Sequence, residues 1–248
     1  MKASLTIVIP TLNNVKGINY LRGYFKNKLY KVIVVDNSKK NLGFAGGVNK
    51  GSRMVDSKWQ LVLNDDIEFG NMQNTIQKLI EFAEKKKLDA VSPILRNPDG
   101  KVENYGYKLL PIGKVHLIKE FPNTKYEILN TDLDGITAAC LLIKTSVFKK
   151  LRGFDESFFA YLEDVDFFIR FKKSGYKMGI APVEVLHNHM TTSKTMGNFK
   201  ARQDMINWWR LYIKHPDRFK FDIHFLIERV RNISGYLKSS IKSLLSSI

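Results

Sequence analysis

A mostly parallel α/β sheet covered by helices on both faces is the architecture this 248-residue sequence predicts. Three observations predict it. Apolar, β-branched runs alternate with helical stretches through the first hundred residues. The runs are continuously apolar, as in strands buried on both faces. Each run ends in polar residues, so the strand tips should converge on one crevice beyond the carboxyl edge, where such sheets bind ligands.

Leu5–Ile9 is the first strand, ended by Pro10-Thr11 and Asn13. Lys31–Val35 is the second, ended by Asp36, and Trp59–Leu63 the third, ended by Asn64-Asp65-Asp66. A short fourth strand lies within Asp89–Pro93, and helical patterns fill 16–26, 45–56 and 71–87. Residues 94–135 change character: Pro98-Asp99-Gly100 and Pro111-Ile112-Gly113 are turns, so an irregular β insertion or hairpin outside the wound sheet is expected. Ala138–Lys144 is again a buried strand. Glu163–Ser174 is a helix with acids in its first turn, lysines in its last and Gly175 after it, as helix ends favour. Residues 199–248 have no strand pattern, and apolar residues from Ile223 to Ile248 recur at helical spacing. The division expected is a domain over 1–198, with a nucleotide-binding half (1–100) and an acceptor half (101–198), followed by basic amphipathic helices over 199–248.

Forty Lys+Arg against 24 Asp+Glu give a net charge of +16. That leaves nucleic acid, an anionic membrane surface or a phosphorylated small molecule as partners. The excess is uneven: +7 over residues 1–100, +3 over 101–199 and +6 over 200–248. The single cysteine, Cys140, rules out an intramolecular disulfide and reads as a small core residue in an apolar strand. The run Leu5–Pro10 is too short for a signal peptide, and no stretch approaches a membrane span. The expected location is therefore cytoplasmic, either free or peripheral on the inner face of the cell membrane.

Four groups could carry chemistry. Asp65-Asp66 at a strand tip are adjacent carboxylates whose repulsion a divalent cation would relieve, and they also suit a plain turn cap. Gly43, Gly46 and Gly47 crowd a helix start between Asn41 and Asn49, where backbone N–H groups could approach an anion; a flexible turn is the alternative. Glu163, Asp164 and Asp166 are more carboxylates than one helix dipole needs, and a carboxylate among acids and aromatics suits general-base work. Helix capping is the plainer reading. His187 and His189 follow a short strand around Lys177–Pro182 and could meet a metal or phosphate, although loop histidines are commonly neither.

Taken in order, these segments resemble inverting glycosyltransferases of family 2, with the Rossmann-like GT-A fold, in the branch of rhamnosyl- and galactofuranosyltransferases of bacterial surface polysaccharides. The resemblance rests on Thr6–Thr11, Val34–Ser38, Asn41–Gly51, Leu61–Ile67, Asp134, Ala138–Ile143, Gly153–Glu156, Phe159–Phe168 and Val185–His187. It implies an enzyme that takes a sugar from a nucleotide donor, dTDP-rhamnose or a UDP-sugar, to a saccharide or lipid-linked acceptor. Pro10, Thr11, Asn13 and Asp36 then contact the nucleoside, and Asn41, Gly43, Phe44, Gly46, Gly47, Asn49, Asn64 and Asp65 complete the donor site. Asp66 and His187, with His189 as fallback, match the metal site for Mn²⁺ or Mg²⁺. Asp164 matches the catalytic base with Glu163 beside it, and Asp134, Tyr161 and Asp166 are expected at the acceptor. One departure is that only Lys39-Lys40 separates Ser38 from Asn41, which should leave the nucleoside pocket open on one side.

Two other classes fit less well. A nucleotidyltransferase should carry a glycine-rich basic loop after its first strand, and Thr11–Val15 offers none. A nucleic-acid-binding module should interleave its cations with exposed aromatics, whereas most lysines here are scattered, so no nucleic-acid partner is expected. Trp208-Trp209-Arg210, Arg229, Arg231, Lys238 and Lys242 suit a peripheral helix on anionic lipid. The same helix could instead pack on the core or on a second subunit, as in a homodimer.

Overall fold

The computed structural model describes residues 5–26, 30–70, 74–120, 128–129, 133–188 and 198–245. Its first half alternates as expected: β1 (Leu5–Thr11), α1 (Val15–Phe25), β2 (Lys31–Asp36), α2 (Gly43–Ser52), β3 (Trp59–Leu63), β4 (Ile67–Glu68), α3 (Thr75–Lys85) and β5 (Ala90–Arg96). β6 (Val102–Asn104), β7 (Tyr107–Leu110), β8 (Lys114–Leu117) and β9 (Ile128–Leu129) follow. The second half holds β10 (Cys140–Lys144), α4 (Thr145–Lys150), α5 (Glu163–Lys173), β11 (Met178–His187), α6 (Phe199–Lys214) and α7 (Ile223–Leu245).

The sheet order is β2-β1-β3-β10-β5-β11-β4, with β6 added on β5 and β9 on β11. β1 is parallel to β2 and β3, and β5 is parallel to β11, but β10 runs antiparallel between β3 and β5. This reversed strand starts where its neighbours end, so Thr137–Ala139 arrive at the crevice edge. The insertion is split: β7–β8 is a separate hairpin, whereas β6 and β9 join the main sheet, a correction to the expectation that the whole insertion lies outside it. β11 is also longer than expected, which puts His187 on a strand paired with Ile67 of β4.

Two cores cover the sheet, one under α1 and α3 (Ile18, Leu21, Phe25, Ile76, Leu79) and one under α2, α4 and α5 (Val48, Phe148, Phe167, Phe171). A third cluster joins Tyr107, Leu109, Phe158, Val165 and Ile169 to Trp208, Leu211, Phe219 and Phe225. It bonds α6 and the start of α7 to the hairpin and to α5, across the expected boundary at residue 198. Trp208 and Arg229 therefore face inward, contrary to a lipid-facing role. Arg229 Nη2 donates to Gly113 O, and its guanidinium lies 4.6 Å from the Trp208 ring centroid. Among the described residues no helix is long and apolar enough to cross a membrane.

Candidate active site

The strand tips, the start of α2, the start of α5, the end of β11 and the first turn of α6 enclose a crevice of about 550 Å³. At the tip of β1, Thr11 Oγ1 donates to Asp65 Oδ2 at 2.5 Å. Asn14 Nδ2 donates to the Asp65 carbonyl at 3.0 Å, while Asn14 Oδ1 accepts from Gly17 N and caps α1. Burial pushes the Asp65 carboxyl above its usual range against the pull of Thr11 and Asn14. Pro10, Thr11, Asn64, Asp65 and Asp66 all line the crevice. Asn13 does not: it takes the left-handed turn (φ 65°) that reverses the chain into α1, with its side chain exposed.

His187 stands between two carboxylates, its Nε2 3.3 Å from Asp66 Oδ1 and its Nδ1 2.8 Å from Glu103 Oε2. Burial opposes a charge on this ring, but the two carboxylates outweigh it and raise its pKa to about 9. Asn64 Oδ1 is buried with no hydrogen-bond partner among the described residues, and Asp66 Oδ1 is buried against the 3.3 Å contact with His187 Nε2. A buried amide oxygen without a partner, next to a carboxylate, suits a hard divalent cation that keeps water or phosphate oxygens as further ligands. Among the described residues no three His, Cys, Asp or Glu side chains form a metal cage by themselves. The donor set thus fits a cation shared with a ligand's phosphates. His189 lies outside the described residues.

The glycine segment serves two purposes. Gly43 takes φ 69° at the start of α2, and a Cβ there would lie 2.3 Å from the Phe159 carbonyl; Gly43 and Phe44 line the crevice. Asn41 Oδ1 accepts from Gly43 N at 3.0 Å. Gly46 and Gly47 lie elsewhere: a Cβ on Gly47 would lie 2.6 Å from Asn37 Nδ2 and 3.0 Å from Pro10 Cβ, and one on Gly46 would meet Leu42. These two glycines let α2 lie close on its surroundings and do not line the crevice. Asn49 is also turned away, with Nδ2 donating to Phe154 O at 2.8 Å and Oδ1 accepting from Phe154 N at 3.0 Å. Asp36 is exposed and accepts from Ser38 N, whereas its neighbour Asn37 is buried at the crevice with Nδ2 donating to Gly43 O. Residues 38–41 are exposed, as the short connection predicts.

Across the crevice, Glu163 and Asp164 open α5. Asp164 Oδ1 accepts from Val165 N at 2.8 Å, and the Ala138 N–H also stabilises the carboxylate. Burial nonetheless dominates and pushes the Asp164 pKa up to about 6. Glu163 is driven well above its usual range by burial and then by the Asp164 charge, and its Oε2 has no hydrogen-bond partner among the described residues. Burial thus raises both carboxyls, and Asp164 is left to ionise near neutrality. Tyr161 shares this wall, and burial pushes its hydroxyl up to about 12.

Asp134 and Asp166 do not line the crevice. Asp134 Oδ2 accepts from Leu109 N, and Oδ1 meets Lys172 at 3.3 Å and Arg218 at 3.4 Å, fastening the hairpin to α5. Asp166 is fully buried between Arg170, Lys214 and His215, which hold its carboxyl below the usual range even though burial opposes this. The helix geometry explains the split: residues two apart lie about 200° apart around an α-helix, so Asp164 and Asp166 face opposite ways. The sequence reading missed Asn37, Glu103, Tyr107 and Lys200, all at the crevice. The helical period separates Asp166 from Asp164, but nothing local marks these four. They come from the neighbouring strand end, the insertion and α6.

The profile of glycosyl transferase family 2 matches residues 18–152, more than half of the chain. An N-acetylglucosaminyl-diphospho-decaprenol L-rhamnosyltransferase of Mycobacterium tuberculosis is 26% identical, with 68% of this chain and 67% of the relative covered. The low-salt glycan biosynthesis hexosyltransferase Agl10 of Haloferax volcanii is 27% identical over 61% of this chain, which spans half of that relative. Among solved structures, the Pyrobaculum calidifontis mannosyltransferase PcManGT, in complex with GDP-Man and Mn²⁺, superposes at a TM-score of 0.58. That match has 13% identity and covers 98% of this chain and 75% of the other. GalNAc-T7 with UDP, GalNAc and Mn²⁺ superposes at 0.55, with 12% identity, 87% of this chain and 51% of that one. These two likenesses speak for the fold, and the profile speaks for the family. With its GT-A architecture and its crevice at the strand tips, this chain belongs to glycosyl transferase family 2.

Proposed function

We propose that the chain moves a sugar, rhamnose or another hexose, from a nucleoside-diphosphate donor to a hydroxyl of a saccharide or lipid-linked saccharide in surface-glycan synthesis. Two of the relatives are, by their names, an N-acetylglucosaminyl-diphospho-decaprenol L-rhamnosyltransferase and a low-salt glycan biosynthesis hexosyltransferase, and the crevice chemistry agrees. The observation that carries the reading is the facing of two walls, one with the buried Asn64 and Asp66 oxygens beside His187, the other with a carboxyl whose pKa lies at about 6.

Asp164 takes the proton of the acceptor hydroxyl as that oxygen bonds to the anomeric carbon from the face opposite the diphosphate. The bond from the anomeric carbon to the phosphate oxygen breaks and the nucleoside diphosphate leaves. A single displacement inverts configuration, unlike the two-step route of retaining glycosidases. Glu163, beside Asp164 at the start of α5, orients the acceptor or the base. Thr11, Asn37, Asn41 and Gly43 bind the nucleotide, and Asp65 is kept in place by Thr11. Asp66, with the Asn64 amide oxygen and with His187 once it has given up its ring proton, would hold Mn²⁺ or Mg²⁺, which when bound supplies positive charge against the diphosphate.

The test is a turnover and thermal-shift screen of dTDP-rhamnose, UDP-galactose and UDP-galactofuranose, with Mn²⁺ and with Mg²⁺. Stabilisation by a nucleoside diphosphate together with sugar transfer from one donor is expected. A chain that no nucleoside diphosphate stabilises and that turns over no donor would falsify the reading.

A further inference from the structure

Asn207 lies in the middle of α6, outside the segments that carry the resemblance, and is completely buried. Its Nδ2 lies within hydrogen-bond distance of three main-chain carbonyls, which share its two hydrogens: Phe158 at 2.9 Å, Ala160 at 2.9 Å and Tyr161 at 2.7 Å. Its Oδ1 accepts from Arg210 Nη1 at 2.8 Å, which fixes which way the amide faces. The turn it holds is unusual. Phe159, Tyr161 and Leu162 all take positive φ, at 62°, 66° and 66°, a conformation bulky side chains rarely adopt. Such backbone persists only where its surroundings over-determine it, and it collects at functional sites. On its other side the turn is held by α2, where Ala45 N donates to Phe159 O at 3.1 Å. The next two residues are Glu163 and Asp164.

We infer that Asn207 is a positioning residue for the transfer reaction: its amide clamps the Phe158–Tyr161 turn and so sets where Asp164 enters the crevice. The inference rests on Asp164 being the general base. It also makes α6 a working part of the site, since Phe199, Lys200 and Asp204 of the same helix line the crevice.

The experiment compares Asn207→Ala with the wild-type chain by thermal unfolding, steady-state kinetics and amide hydrogen exchange. The folded variant is expected to bind nucleoside diphosphate nearly as wild type and to lose kcat by about 10- to 100-fold with little change in KM for the donor, since misplacement near the chemistry costs rate before binding. Amides of residues 158–163 should exchange faster while the strands do not. A Leu211→Ala variant, which weakens the same helix through its buried apolar face, should lower the melting temperature without that drop in kcat. Asn207→Ser, keeping one short donor, should fall between wild type and Asn207→Ala. Wild-type kcat with unchanged exchange over 158–163 in either folded Asn207 variant overturns the inference. Failure of both variants to fold overturns it too, because the amide would then support the whole molecule. The exchange arm needs no turnover, so an inactive wild-type chain would sink the functional reading while the clamp is still decided.

Discussion

Asp164 and Glu163 are neighbours in sequence with different acidities, and the difference has a local cause. Asp164 is served by the Val165 and Ala138 N–H groups, whereas Glu163 meets the charge of Asp164 with one oxygen unsatisfied. The proposed base should therefore give kcat/KM an acid limb centred near pH 6, with activity rising as pH rises through it. Asp164→Asn should lower kcat by about 10²–10⁴-fold and leave nucleoside-diphosphate binding nearly unchanged. Wild-type-like turnover in that variant would dismiss Asp164 as the base. The same shift fixes a sign for stability. A carboxyl raised from 3.8 to about 6 on folding binds more protons in the native state between those values. Its contribution to stability thus declines as pH rises through that window and is fully lost above it. Urea unfolding at pH 4 and pH 7 should show a smaller difference in Asp164→Asn than in wild type. At this scale the sequence was legible where chemistry is local: Thr11, Asp65, Asp66, Glu163, Asp164 and His187 all reach the crevice. It misled where one helical turn presents two faces, as at Asp166, and where burial depends on a distant partner, as at Asp36 against Asn37.

Among the elements, α2 depends on a tight fit. Gly51 is fully helical, and a Cβ there would lie 2.4 Å from Val8 Cγ1 and 3.1 Å from Val35 Cγ2, both on strands beneath. β-branched side chains have little rotamer freedom with which to yield. Gly51→Ala should therefore destabilise by about 1–3 kcal/mol through overpacking. Gly23, in α1, has nothing within 4 Å of the same added carbon, so Gly23→Ala should stabilise by about 0.4–1 kcal/mol. Chemical denaturation of the pair checks both signs, and equal shifts would refute the packing account. The comparison separates two glycines that look alike in sequence. Strand positions were legible because continuous apolar runs have few other homes. The direction of β10 was not, because an apolar run such as Cys140–Lys144 carries no sign of parallel or antiparallel pairing.

Over the whole molecule, the two-faced C-terminal helix poses the remaining problem. Phe225 and Arg229 of α7 pack inward against the hairpin and Trp208. The opposite face carries Ile223, Leu226, Ile227, Val230, Ile233, Leu237 and Ile241, each exposed, with Val230 at 64% and Ile241 at 58%. Scattered exposed apolar residues need no explanation, but a continuous row along a helix does. Exposed Lys220, Arg231 and Lys238 flank the row, while Glu228 is paired with Arg231 and Asp222 caps the helix start through His224 N and Phe225 N. An apolar stripe bordered by cations suits an anionic bilayer surface, with the helix lying in the interface plane. A lipid-linked acceptor would be reached from that seat. Cosedimentation should show the full chain on vesicles containing phosphatidylglycerol, and less of it on phosphatidylcholine alone. Each cation near the surface contributes about 1 kcal/mol, so added salt should release part of the bound protein. Replacing Val230, Ile233 and Leu237 with Ser should abolish binding while the melting temperature holds, because none of the three contributes to a buried cluster. Equal partitioning of the wild-type and triply substituted chains would show that the row does not seat on lipid. A concentration-dependent dimer in wild type that the same substitutions dissolve would assign the face to a second copy of the chain instead.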